Sequence, residues 1–272
     1  DKSLLGFDSY YSFQGRYAVT KTQRMGSHSF LQIVGYRNLE ELSEKLDTFS
    51  YRVTKEEALD LPDKVYVTRE VSVTDEQRQH YLTLKKQAIA MFDNGDLVTA
   101  PAVITQLLRL HQVWGGHIRT DDGDLIEIPS KRIGALMEAI EEMTGKVIIW
   151  SRFRYDIKKI QAEIQRVHGP GSVVTYFGDT TDEQRQQAIK DFQFGDARFF
   201  VANPQTAGFG LTLTAATTVV YYANDFDLAT RMQSDARCHR IGHANRATHG
   251  ALYTPGSTTH RLRRPLPYQN DN

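Results

Sequence analysis

The densest chemistry in the chain lies in Gln233-Ser234-Asp235-Ala236-Arg237-Cys238-His239-Arg240-Ile241-Gly242-His243. On a helix, Gln233, Arg237 and Arg240 fall at i, i+4 and i+7 and share one face. Two guanidinium groups there can grip a polyanion, because their planar donors match phosphate oxygens. An arginine pair on a helix is ordinarily a solvated face. Here the helix follows directly on a strand of what reads as a parallel sheet, and ligands of such sheets bind beyond the strands' carboxyl ends. A second block, Gly208-Phe209-Gly210, follows an apolar strand. Its glycines let backbone approach a ligand closely, although a tight turn explains them equally well. His239 is expected to be a hydrogen-bonded structural histidine. Cys238 is the single cysteine, which excludes an intrachain disulfide and a cysteine zinc site and makes a reducing compartment the default. The acidic turn Asp121–Asp124 lacks the spacing of a calcium loop and reads as a solvated turn.

These residues need elements to hold them. Lys146–Ser151 is a strand with a continuous apolar run, Val147–Trp150, and Ser172–Tyr176, Arg198–Ala202 and Thr218–Tyr222 are further strands. Helices alternate with them: a stripe of Ile133, Leu136, Met137 and Ile140, then Ile157–Val167, a capped helix from Thr181 and Gln184 to Gly195, and Leu228–Ile241. Apolar strands alternating with helices predict an α/β fold with a parallel sheet covered on both faces. Upstream, residues 64–73 predict a strand, Thr74 and Gln77 open a helix that Asn94-Gly95 stops, and Ile104–Val113 is another. Residues 1–60 show no clear strand alternation. Tyr10, Tyr11, Phe13 and Tyr17 there are expected to pack short helices. The resulting division is 1–128, mostly helical with a strand near 64–73; 129–256, the α/β lobe; and 257–272, an irregular tail rich in Arg and Pro.

Of the 272 residues, 40% are hydrophobic and 24% charged, which is globular and not disordered. Lys plus Arg and Asp plus Glu are both 33, so a small uniformly basic nucleic-acid binder is excluded, while local patches are not. From Arg231 onward, seven arginines stand against two aspartates. No apolar run approaches a membrane span. The start, Asp1-Lys2-Ser3, is neither a signal peptide nor an initiator Met, and a fragment or processed product is expected.

Asp225–Gln233 leads without a gap into the Arg-x-His-Arg-Ile-Gly segment, and together they resemble motif VI of the Swi/Snf-like ATP-dependent DNA translocases of helicase superfamily two. Ala207–Ala216 resembles their motif V, and Lys146–Phe153 their motif IV. Tyr176–Thr180, with Arg185 and Phe192, is similar to the next block. Tyr51–Glu57, Leu61–Lys64 and the Gln77…Tyr81 helix are similar to the segment between the family's lobes. Residues 52–82 and 198–224 are most like phage-type members, which places the protein in a bacterial or phage-infected cytoplasm. The chain departs from the family at Asn203-Pro204, where a Ser-Thr pair is usual, at Phe226-Asp227-Leu228, at His243, and after Thr254-Pro255-Gly256.

The resemblance implies a RecA-like second helicase lobe preceded by a mostly helical inter-lobe region. ATP would lie between two lobes, with Mg²⁺ held mainly by the first. This chain has no phosphate loop: Gly145-Lys146 leads into a strand, not a helix. It has no Asp-Glu box either. It would therefore be the C-terminal half of such an enzyme, inactive alone, with the first lobe and double-stranded DNA as partners. By the resemblance, Arg237 and Arg240 are arginine fingers, and Gly208, Gly210 and Gln233 lie by the nucleotide. Ser151, Arg152, Gly178, Gln205 and Thr206 face the DNA backbone; no metal ligand is assigned. The alternative is a degenerate module that binds nucleic acid or a partner without catalysis. A sugar-nucleotide transferase would leave the Arg-x-His-Arg-Ile-Gly block unexplained.

Overall fold

A computed structural model describes residues 2–25, 28–51, 53, 65–93, 100–120, 122–207, 210–224, 227–237 and 248–255. The chain divides into two compact units, Asp1–Asp60 and Leu61–Asn272.

The first unit holds helices α1 (Lys2–Leu5), α2 (Tyr10–Tyr17) and α3 (Leu39–Asp47). Between them, where the sequence pattern offered only short helices, lies an antiparallel hairpin of β1 (Ala18–Met25) and β2 (His28–Tyr36). Its β-branched residues Val19, Thr20, Thr22, Ile33 and Val34 favour the pleated backbone. Polar neighbours break the two-residue alternation that would have announced it. Phe7, Phe13 and Tyr17 stack edge-on or tilted, with centroids 5.1–5.6 Å apart, so of the four aromatics expected to pack, Phe13 and Tyr17 do so, while Tyr10 and Tyr11 are 64% and 81% exposed. Leu31 and Val34 of β2 are 64% and 54% exposed.

The second unit is built on a six-stranded parallel sheet in the order β3-β10-β9-β6-β8-β7. The strands are β3 (Val65–Glu70), β6 (Lys146–Trp150), β7 (Val173–Tyr176), β8 (Phe199–Ala202), β9 (Ala216–Tyr221) and β10 (Thr248–Tyr253). In β6, Val147 and Ile149 enter one core while Ile148 and Trp150 enter the other, so the strand must be apolar at every buried position. Helices α6 (Arg132–Glu141) and α7 (Arg154–His168) cover the first face. Ile157, Ile160 and Ile164 of α7 are all fully buried there, each stabilising by about 1.5–3 kcal/mol. On the other face, α8 (Asp182–Phe194) buries Ala188 and Phe192. The short α9 (Pro204–Ala207) and α10 (Leu228–Asp235) pack beside one another.

Two further helices, α4 (Asp75–Asp93) and α5 (Ala100–Gly115), pair with each other. The expected capping box opens α4: Gln77 N donates to Thr74 Oγ1 at 3.2 Å, and Thr74 N to Gln77 Oε1 at 3.1 Å. The buried Gln77 also donates from Nε2 to Val113 O at 2.8 Å, fixing α4 to the end of α5. A small hairpin of β4 (His117–Arg119) and β5 (Leu125–Glu127) carries the acidic turn. The strand expected near 64–73 is β3, and it joins the edge of the large sheet beside β10.

Candidate functional site

The carboxyl ends of β6, β7 and β8 are tied together by Asn203. Its backbone N donates to Tyr176 O at 3.1 Å, and its Nδ2 donates to Arg152 O at 2.7 Å. Its Oδ1 accepts from Gln205 N at 2.8 Å and Thr206 N at 3.2 Å. That is the work of a helix N-cap, and Pro204 occupies the first helical position, where a missing N–H costs nothing. The departure Asn203-Pro204 therefore has a structural reason: it caps α9 and clamps the loop after β6.

Arg152, Gly178, Gln205 and Thr206 stand on the loops that this clamp joins. Gly178 and Gln205 are exposed, and Arg152 and Thr206 half-buried. Arg154 lies over Gly178: a Cβ added there would come within 2.9 Å of its guanidinium. Arg154 and Lys158 flank Asp179 at 2.6 and 3.1 Å. This basic pair was not singled out from the sequence, where it reads as an ordinary solvated helix start. Ser151 is a correction. Its side chain is fully buried, and its Oγ donates inward to Asp156 Oδ2 at 3.1 Å. Asp156 in turn lies 3.3 Å from Nδ1 of the buried His117. The hydroxyl is thus committed to the interior and not presented to a backbone phosphate.

Beside this rim, the two blocks that open the sequence argument meet. The Arg237 Nη1 donates to Leu211 O at 3.2 Å, and Leu213 N donates to Arg237 O at 3.2 Å. Gly210 is exposed, at φ +75°, with open space where a side chain would be. Such backbone favours glycine and leaves room for a ligand. Gln233 Oε1 is buried and has no hydrogen-bond partner among the described residues. A buried cation and an open glycine fit a polar, anionic ligand. Gly208 and Arg240, with Cys238, His239 and His243, lie outside the described residues. Asp227, in another departing block, is the N-cap of α10, accepting from Ala229 N at 2.9 Å and Thr230 Oγ1 at 2.7 Å. The Thr230 hydroxyl and backbone N–H groups hold its carboxyl below the usual range.

Arg132 is a buried residue whose role the sequence pattern hid behind the apolar stripe of α6. It donates to Tyr222 O from Nε at 2.8 Å and also from Nη2. It reaches Leu252 O at 3.0 Å and Thr254 Oγ1 at 3.1 Å as well. These bonds join the ends of β9 and β10 to α6. Burial lowers its pKa from the ordinary value, and oxygens satisfy its donors. Nearby, His111 is driven down to about 3, first by burial and then by the charges of Arg132 and Arg152. Among the described residues, no group of three or more His, Cys, Asp or Glu could hold a metal ion. Among them, too, no helix is long and apolar enough to cross a membrane.

Residues 131–242 match the family model of the helicase conserved C-terminal domain. The chain is 25% identical over 217 residues to the zebrafish (Danio rerio) chromodomain-helicase-DNA-binding protein 1-like, covering 75% of this chain and 21% of that protein. It is 33% identical over 88 residues to the chromatin-remodeling ATPase INO80 of Pyricularia oryzae, covering 32% of this chain and 4% of that one. The chain thus spans about a fifth or less of these relatives. Among solved structures, the C-terminal part of the Fun30 ATPase domain superposes with a TM-score of 0.59 at 17% identity, covering 75% of this chain and 90% of that one. The Sulfolobus solfataricus SWI2/SNF2 ATPase core in complex with dsDNA gives a TM-score of 0.54 at 26% identity, covering 93% and 52%. These likenesses show the fold of a RecA-like second lobe, with residues 131–242 similar to the helicase conserved C-terminal domain. The named relatives come from a fish, a fungus and an archaeon, and lend no support to a phage-type character or to a bacterial or phage-infected cytoplasm.

Proposed function

We propose that this chain is the second half of a DNA-dependent ATPase that translocates on duplex DNA, completed by a first RecA-like lobe. The observation that carries the reading is the meeting of the Gly210–Leu213 loop with Arg237, just after the helix α10 that carries the buried carboxamide oxygen of Gln233. Bound with Mg²⁺ mainly by the first lobe, ATP would supply the phosphoryl group whose transfer to water drives the cycle. Arg237 and Arg240 direct donors at the charge that develops during that transfer. Such fingers are worth ~10³–10⁵ in rate. Gln233 accepts a hydrogen bond on the same side, and Gly208 and Gly210 admit the nucleotide to the backbone. Arg152, Gly178, Gln205 and Thr206, with Arg154 and Lys158, track the phosphodiester backbone without reading sequence. The dsDNA held by the archaeal ATPase core supports that assignment.

On this reading the chain alone hydrolyses no ATP, and a form carrying both lobes is stimulated by duplex DNA. Arg240→Ala in the two-lobed form abolishes turnover while duplex affinity, followed by fluorescence anisotropy, stays within about twofold; the expected loss is ~10³-fold or more. Turnover by the isolated chain would overturn the half-enzyme reading, and collapse of DNA affinity in Arg240→Ala would overturn the finger. DNA binding by a two-lobed form with no hydrolysis at all would establish the non-catalytic module instead.

A further inference from the structure

We infer that Asp235, His249 and Tyr66 are positioning residues for the arginine-bearing turn that follows α10. The inference rests on the reading of Arg237 and Arg240 as fingers. The face that α10 turns toward the sheet is polar: Thr230, Ser234 and Asp235 are its buried residues. The sheet answers with polar groups from three adjacent strands. Tyr221 of β9 places its OH 2.7 Å from Ser234 Oγ, and the Arg231 guanidinium lies 3.2 Å from the Tyr221 ring centroid. His249 of β10, itself buried, brings Nδ1 to 2.6 Å from Asp235 Oδ1. Tyr66 of β3 stands opposite His249 in register and donates to Asp235 Oδ2 at 3.3 Å, with the two rings 5.5 Å apart.

The physical consequence is one of register. A helix held by apolar contact alone can slide by fractions of a turn with small loss. A helix held by buried, directional hydrogen bonds has one seat, because any other leaves polar groups unpaired in a low dielectric. Asp235 is the last residue of α10 and Arg237 is two residues on, its N–H donating back to Ser234 O at 3.3 Å. A shift at Asp235 therefore reaches Arg237 with little to absorb it, and a misplacement of about 1 Å in a catalytic group costs ~10²-fold in rate. The sheet edge is thus connected to the turn through one carboxylate.

The test uses the full two-lobed protein with duplex DNA and follows kcat, ATP KM, DNA affinity and thermal melting. Asp235→Ala lowers kcat ~100-fold, and Asp235→Asn, which keeps an acceptor oxygen for His249 and turns an amide donor to the Tyr66 hydroxyl, which can accept it, restores it to within about fivefold of the parent. Tyr66→Phe lowers kcat about threefold, and Asp235→Ala combined with His249→Ala is no slower than the worse single variant, as expected of a coupled pair. KM and DNA affinity stay within about twofold throughout. Where Asp235→Ala fails to fold, Tyr66→Phe and Asp235→Asn decide, since both are near-isosteric. Unchanged kcat in Tyr66→Phe and Asp235→Ala, or additive effects in the double variant, overturns the positioning role. So does a loss of kcat matched by equal losses in DNA affinity and melting temperature. Arg237→Ala and Arg240→Ala are run beside these. If they abolish turnover while the Asp235 variants do not, only the positioning inference falls. If they leave turnover intact, the finger reading falls and takes this inference with it.

Discussion

Asn203 and His111 illustrate how much one side chain can carry at this site. Asn203 makes bonds from its N, Nδ2 and Oδ1 to three separate segments, so its loss is felt beyond a simple cap. Asn203→Ala is expected to cost about 1–2 kcal/mol in urea unfolding, the upper part of the N-cap range. The same change should weaken duplex binding by loosening the Arg152 loop. Asn203→Asp keeps the cap acceptor but loses the Nδ2 bond to Arg152 O, and should separate the two effects. His111 is held neutral by burial, about 3 against an ordinary value of 6.5. Its folded pKa is depressed, so the unfolded chain binds the extra proton first as pH falls. Stability is therefore full above about pH 6.5 and declines as acid is added down toward pH 3. Between pH 7 and pH 5 the loss from this group is about 2 kcal/mol. Denaturant unfolding at the two pH values checks it: His111→Phe should flatten the dependence, and an unchanged slope would remove His111 as its source.

At the scale of elements, the isoleucine stripe of α7 gives a direct measure of how the lobe is held. Ile160→Ala, at the centre of that stripe and fully buried, should cost about 2–5 kcal/mol by chemical denaturation. The strands and helices from Lys146 to Tyr221, the four-residue α9 apart, were legible in the sequence because each is buried on a definite side. In β6 every position from Val147 to Trp150 is apolar, and in α7 the isoleucines recur at helical spacing. β10 was not legible. Thr248-His249-Gly250-Ala251-Leu252-Tyr253 lacks an apolar run, because His249 is reserved for Asp235 and Gly250 lies against Val219 O. The β1–β2 hairpin escaped for a related reason: Lys21, Gln23 and Arg24 interrupt its β-branched residues. The candidate site was readable as residue types in one stretch. Sequence spacing carried no sign that Ser151 turns inward to Asp156, because both faces of a loop look alike before the core is assembled.

For the molecule as a whole, the balance of 33 basic and 33 acidic residues conceals a division of labour. Basic groups collect where phosphate is proposed to lie, at Arg152, Arg154, Lys158 and Arg237, while much of the rest of the surface is mixed. Of the two units, Asp1–Asp60 has the more unusual surface. Its hairpin shows apolar side chains on both faces, Leu31, Ile33 and Tyr36 on one, and Phe30 on the other. A two-stranded ribbon of that kind, with unpaired backbone along its outer edges, is a template for further strands. The isolated chain is therefore expected to self-associate. Light scattering of the purified chain should rise with concentration and fall on joint substitution Leu31→Lys and Val34→Lys, while the far-ultraviolet circular dichroism stays unchanged. On that expectation, the solution behaviour of the isolated chain turns on nine residues, His28–Tyr36, that take no part in the proposed chemistry.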